Sequence, residues 1–269
     1  MAKLQSTPPT AEPISLNEAK LHLRQDGAGD DVLIPSIIRA ARDAAERFLR
    51  RQLVTATWQL KVDAWPAVDF ELPRPPLASI TSITYVDADG TTQTLAASYY
   101  DALADEEPGR VIRGYLDTWP TVRGHAEDVT VTFVAGYATP FTVVADTDVL
   151  TWAGRTPTDA EIVRLSNSGG ASAALPAALA VDTDYHVLDS DGSTCKLAAA
   201  AGGDAIDVTD TGTGTHFIGV VPEAIRAGIK LMIGHLYEHR EAVVMGGSPV
   251  ELPLAVKSLW WPYRVLEIA

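Results

Sequence analysis

The spacing of apolar residues changes twice along this chain, and that change limits the fold more than any other feature. Near both ends apolar side chains recur every three to four residues, the period of a helix face. Between the ends they recur every second residue, the period of a half-buried strand. A chain of 269 residues patterned in this way reads as α+β, with helices drawn from both ends and β structure emerging from the middle.

The first helix is announced by "SLNEAKLHLR", where Ser15 and Glu18 form a capping box ahead of Leu16, Ala19, Leu21 and Leu23. "QDGAGDD" interrupts it. A second helix is expected from Asp31 to Arg51, with Leu33, Ile37, Ala40, Ala44 and Phe48 as its stripe and Pro35 in its first turn. "VVPEAIRAGIKLMIGHLYEHREAV" is the clearest helix, with Pro222 and Glu223 at its start and Ile225, Ile229, Met232 and Leu236 along one side. A last helix in "PLAVKSLWW" should stop at Pro262.

In the middle, Trp58, Leu60 and Val62 alternate with polar residues, and "LPRPPL" is too proline-rich for a central strand. "SITSITYVDADGTTQTL" carries an Asp89-Gly90 hairpin turn, and "GRVIRGYLDTWP" and "EDVTVTFVAGY" supply further strands. Residues 142–218 differ again, being rich in Ala, Gly, Asp, Ser and Thr, with one strong hairpin in "YHVLDSDGSTCKLA". Ten Asp and Glu161 oppose Arg155, Arg164 and Lys196 there, so this stretch carries −8 of the chain's net −14. The expected organisation is a disordered arm over 1–13 and a helical body from 14–53 and 219–269. An antiparallel β unit over 54–141 and an inserted β-rich domain over 142–218 complete it, the insert sitting in a loop where added length costs little.

The negative balance argues against wrapping the outside of DNA, where affinity comes from cationic side chains on phosphates. It is compatible with an acidic channel past which DNA slides. No apolar run approaches the roughly 18 residues of a membrane span, and the first residues lack the apolar core of a secretory signal. The lone Cys195 allows no intrachain disulfide and is expected to pack within a strand.

Several motifs invite chemistry. His235, Glu238 and His239 spell H-x-x-E-H, a pattern that places two imidazoles on one helical face for zinc. At about 100° per residue, however, His239 falls within roughly 40° of Ile225, in the expected packing stripe, and no third ligand is apparent. Asp182, Asp184, Asp189 and Asp191 hint at calcium, but counting twelve from Asp189 reaches Ala200 rather than glutamate. "TGTGT" and "NSGG" lack the Lys and helix context of a phosphate loop. No nucleophile elbow assembles a triad. Trp260, Trp261 and Tyr263 crowd near the C-terminus, an arrangement suited either to the last helix's packing or to a partner.

Taken in order, "ISLNEAKLHLR", "LIPSIIRAARDAAERFLRRQLVTATWQL", "LPRPPLASITSITYVDADG", "EPGRV", "VTVTFVAGY", "VPEAIRAGIKLMIGHLYEHREAVV" and "ELPLAVKSLWWPYRV" resemble the head–tail connector (adaptor, head-completion) proteins of long-tailed bacteriophages. The stretch 142–218 departs from that pattern and is similar to small β modules of phage tail and surface proteins. The resemblance implies a non-enzymatic protein with no cofactor or metal. It would form a homo-oligomeric ring, commonly of about twelve copies, in the virion neck between capsid and tail. Assembled in the bacterial cytoplasm, the ring would extend the DNA channel beneath the portal protein, without binding DNA specifically or touching membrane. It would offer a platform to a tail terminator or stopper protein. Carried onto this chain, portal docking falls to Trp260, Trp261, Pro262, Tyr263, Arg264 and Val265. Two other readings remain at this point: a metal-dependent hydrolase using the H-x-x-E-H stretch, or a tail or surface protein whose insert binds a glycan or virion partner.

Overall fold

The computed structural model describes residues 3–67, 69–115, 117–152, 158–168, 173–181, 183–239 and 253–266. Four helices form one body: α1 (Leu16–Leu23), α2 (Ile34–Leu49), α3 (Glu223–Glu238) and α4 (Leu254–Trp260). Ser15 Oγ accepts the Glu18 N–H at 3.1 Å, one half of the expected capping box, while the Glu18 carboxylate accepts from Arg226 at 2.9 Å. Pro35 lies at the start of α2, where its missing N–H costs nothing. Ile14, Ile34, Ile38, Leu49, Ile225 and Ile229 share one core with Val256 and Trp260, so the two chain ends pack as a unit.

The buried stripes are rotated from those expected. α2 buries Ile34, Ile37, Ile38, Ala41, Ala45 and Leu49 and leaves Ala40 exposed. α3 buries Ile225, Gly228, Ile229, Ile233 and Tyr237, with Met232 and Leu236 only at the margin. Both helices carry apolar or small residues on more than one candidate stripe, and the wider apolar side wins the core.

Two sheets form the β unit. The larger runs β1 (Lys3–Thr7), β2 (Ala56–Val62), β8 (Val129–Ala135), β4 (Leu77–Val86), β5 (Thr92–Thr94), all antiparallel. The smaller has β7 (Gly109–Arg113) between β3 (Asp69–Leu72) and β6 (Tyr100–Leu103). Phe70, Leu72 and Val111 of the small sheet join Leu60, Ile83, Val131 and Phe133 of the large one in a second core. The first residues, expected to be a disordered arm, instead pair along β2 from Lys3 opposite Lys61 to Thr7 opposite Thr57. The open edge of β2 supplies the backbone partners that a polar pentapeptide lacks alone. Glu12 then pairs with Arg42 at 2.7 Å, and Ile14 is fully buried.

The acidic stretch folds as a closed six-stranded antiparallel barrel of β9 (Thr139–Val143), β10 (Leu150–Trp152), β11 (Ile162–Ser168), β12 (Asp184–Asp191), β13 (Thr194–Ala198) and β14 (Thr215–Ile218). Its third core holds Phe141, Leu150, Trp152, Leu165, Val187 and Leu197. The hairpin read from sequence is β12–β13, and Cys195 lies buried within it. The first barrel strand pairs with the last, Thr139 opposite Ile218, so the chain enters and leaves side by side. Strand alternation in β14 turns Ile218 into the barrel and Phe217 outward into the helical core. Gly219, at φ 92°, makes the exit: a Cβ there would lie 2.1 Å from the Tyr137 carbonyl oxygen.

Candidate docking surface

The C-terminal segment is bound to the end of α2 by a small set of contacts. α2 ends at Arg50 in the left-handed conformation, which leaves its last carbonyls without helical partners. The Val265 N–H reaches back to the Leu49 carbonyl at 2.9 Å and satisfies one of them. Arg51 donates through Nε to the Tyr263 carbonyl and through Nη2 to Glu107 at 2.6 Å. That second contact ties the helical body to the loop before β7. The Arg264 guanidinium stands 5.3 Å from the Phe48 ring centre and 5.4 Å from that of Trp261.

The six residues expected to dock are therefore not equivalent. Trp260 is fully buried, its ring 6.0 Å from Phe48, and its Nε1–H donates to the Ile225 carbonyl at 3.2 Å. Gly228 permits that approach, since a Cβ there would sit 2.2 Å from Trp260 Nε1. Trp260 thus fills its own subunit's core. Trp261 is 53% exposed and Pro262 is exposed, whereas Tyr263, Arg264 and Val265 are half-buried. Leu254 and Leu266, at 83% and 70% exposure, add apolar surface to the same segment.

In the H-x-x-E-H stretch the two imidazoles lie side by side with no third ligand among the described residues. α3 ends at Glu238, so His239 is the exposed C-cap rather than part of the packing stripe; residues 240–252 lie outside the described residues. Its Nδ1 sits 3.1 Å from the His235 carbonyl, and the two imidazoles stack at 4.7 Å. Among the described residues, no group of three His, Cys, Asp or Glu side chains could hold a metal ion. The acidic hairpin is held by ion pairs, Asp184 with Arg164 and Asp189 with Lys196, around a turn at Gly192. Asp182 lies outside the described residues. Burial pushes the Cys195 thiol up to about 12, with Glu161 and Asp159 adding to the shift, which disfavours its thiolate.

A second surface carries no distinct signal in the sequence pattern. A groove of about 650 Å3 runs between the outer side of α2 and the turn after β1. Arg39, Arg42 and Arg47 line it from α2, and Trp58 and Arg74 close its far end. Arg42 is neutralised by Glu12, Asp43 and Glu46 at 2.7, 2.9 and 3.0 Å. Arg39 and Arg47 are exposed and make no ion pair among the described residues. Arg74 lies 5.4 Å from the Trp58 ring centre and donates to the Glu46 carbonyl at 2.9 Å. Burial holds the Arg74 guanidinium below its ordinary range, and repulsion from Arg47 and Arg50 adds to this against the pull of Glu46. Arg39, Arg42 and Arg47 stand in "RAARDAAERFLRR", but charge on the polar side of a helix ordinarily marks solvent.

Residues 13–84, which form α1, α2, β2, β3 and most of β4, match the family model of the phage gp6-like head-tail connector protein. The whole fold is similar to that of a chain in the neck of an empty gene transfer agent particle, computed with C6 symmetry. That likeness has 18% identity and a TM-score of 0.56, over 99% of this chain and 97% of that one. A chain in the virion of the native gene transfer agent particle is similar to the same degree: 18% identity, TM-score 0.56, with 99% and 97% covered. No curated protein gives a match. The likeness extends through the barrel, although the family model stops at residue 84.

Proposed function

We propose that this protein is a structural head-to-tail adaptor in the neck of a phage or phage-like particle. It forms a ring beneath the portal, extends the DNA channel and gives the next neck or tail protein its platform. The observation that carries this reading is the coincidence of a connector-family segment at 13–84 with a fold shared end to end with a particle-neck chain. The role is mechanical rather than catalytic. The helical body meets its neighbours in the ring, and a head-to-tail ring requires two different complementary patches on each subunit.

Within the C-terminal segment the work divides. Trp260 anchors the segment to its own subunit. Trp261 and Pro262 face outward as portal contacts, and Arg264 and Tyr263 hold them in place. Half-exposed aromatics beside arginine are the usual anchors of a protein interface. The test is to mix the purified chain with its portal protein and image the complex by negative stain. Rings seated on the portal, weakened by Trp261→Ala without loss of folding, are expected. A chain that stays monomeric and unbound at every ratio would contradict the reading.

A further inference from the structure

We propose that the arginine groove beside α2 receives the acidic barrel loop bearing Asp204 and Asp207 of a second copy of this chain. This rests on the ring reading above and names the two patches that such a ring brings together.

The groove has an unmet demand for negative charge. In a chain of net −14, Arg39, Arg47 and Arg74 gather within one cleft, and the carboxylates that line it, Asp43 and Glu46, are ion-paired to Arg42. Like charges held together without compensation lower the stability of the free subunit, and such a cost is recovered when an anion arrives. Guanidinium groups are also suited to paired oxygens, because their planar forks match a carboxylate.

The complementary charge lies on the barrel. Several of its carboxylates are occupied: Asp184 and Asp189 by cations, and Asp148 and Asp210 by backbone N–H groups. Asp204 and Asp207 both lie on the loop after β13, exposed and without an ion pair among the described residues. Groove and loop belong to different parts of the subunit, as a head-to-tail contact requires. The favoured occupant is a protein carboxylate rather than a nucleic-acid phosphate, because the barrel that accompanies this groove carries −8 and would repel DNA.

The experiment compares assembly of the full-length chain on its portal protein for wild type, Arg39→Glu/Arg47→Glu, and that variant with Asp204→Lys/Asp207→Lys added. The first pair should weaken ring formation by about tenfold or more, and adding the second should restore most of it. Circular dichroism of the isolated chain should be unchanged, since all four side chains are exposed. Rings formed by Arg39→Glu/Arg47→Glu as readily as by wild type would overturn the proposal. So would failure of the added lysines to restore assembly; loss of binding to a short duplex DNA in that case would assign the groove to phosphate. If wild type forms no ring at all, the adaptor reading itself fails and this inference with it, an outcome distinct from a wild-type ring indifferent to the charges.

Discussion

Replacing Trp260 by alanine separates the anchor of the C-terminal segment from its outward face. The indole is fully buried among α2, α3 and α4, and its N–H is bound to the Ile225 carbonyl. Removing a buried tryptophan costs about 3–5 kcal/mol, of which the hydrogen bond accounts for about 1 kcal/mol. For a helical body of about 90 residues each kcal/mol lowers the midpoint by about 4–8 °C, so the helical transition should fall by roughly 20 °C. Trp261→Ala is the internal control. With 53% of that residue exposed, the loss is a partial ring contact with Phe48 and the cation–π contact with Arg264, together about 1 kcal/mol. Urea unfolding followed by far-ultraviolet circular dichroism, with calorimetry to separate the barrel from the helices, measures both. If Trp260→Ala lay within about 1 kcal/mol of wild type, the argument from burial would be wrong.

Three further outcomes follow from the same geometry. Gly228→Ala places a Cβ 2.2 Å from Trp260 Nε1 and should cost about 1–3 kcal/mol or more, although alanine is the better helix former; a stabilised variant would contradict the close packing. Burial raises the Cys195 thiol to about 12, so at pH 8 the native protein should resist iodoacetamide and react only on unfolding; rapid stoichiometric labelling of the folded chain would show the barrel is open there. His239→Ala should leave both metal content and melting temperature unchanged, because the side chain is an exposed cap; stoichiometric zinc lost with the substitution would restore the hydrolase reading.

Periodicity and capping made the architecture legible before the stripe details. Ser15 with Glu18, Pro35, the Asp89-Gly90 turn and the β12–β13 hairpin are local signals, and each sits where local chemistry placed it. What failed to show was set by distant partners. Lys3–Thr7 becomes a strand only because β2 offers an open edge, and nothing in "KLQST" announces it. The barrel's closure depends on Thr139 meeting Ile218 across nearly eighty residues, a pairing outside any sequence window. Ideal helical angles extended past the last turn put His239 in the packing stripe, whereas α3 ends one residue earlier. Among the docking candidates, adjacent tryptophans look alike in sequence, yet a step of one residue, about 100° of helix, sends Trp260 inward and Trp261 outward.

The central claim is that this chain joins head to tail, and particles assembled without it test that most directly. Electron microscopy of particles from cells lacking the gene should show heads with a portal but no attached tails, with tails free in the same preparation, and normal particles on return of the wild-type chain. Tailed particles with an intact neck in the chain's absence would contradict the account.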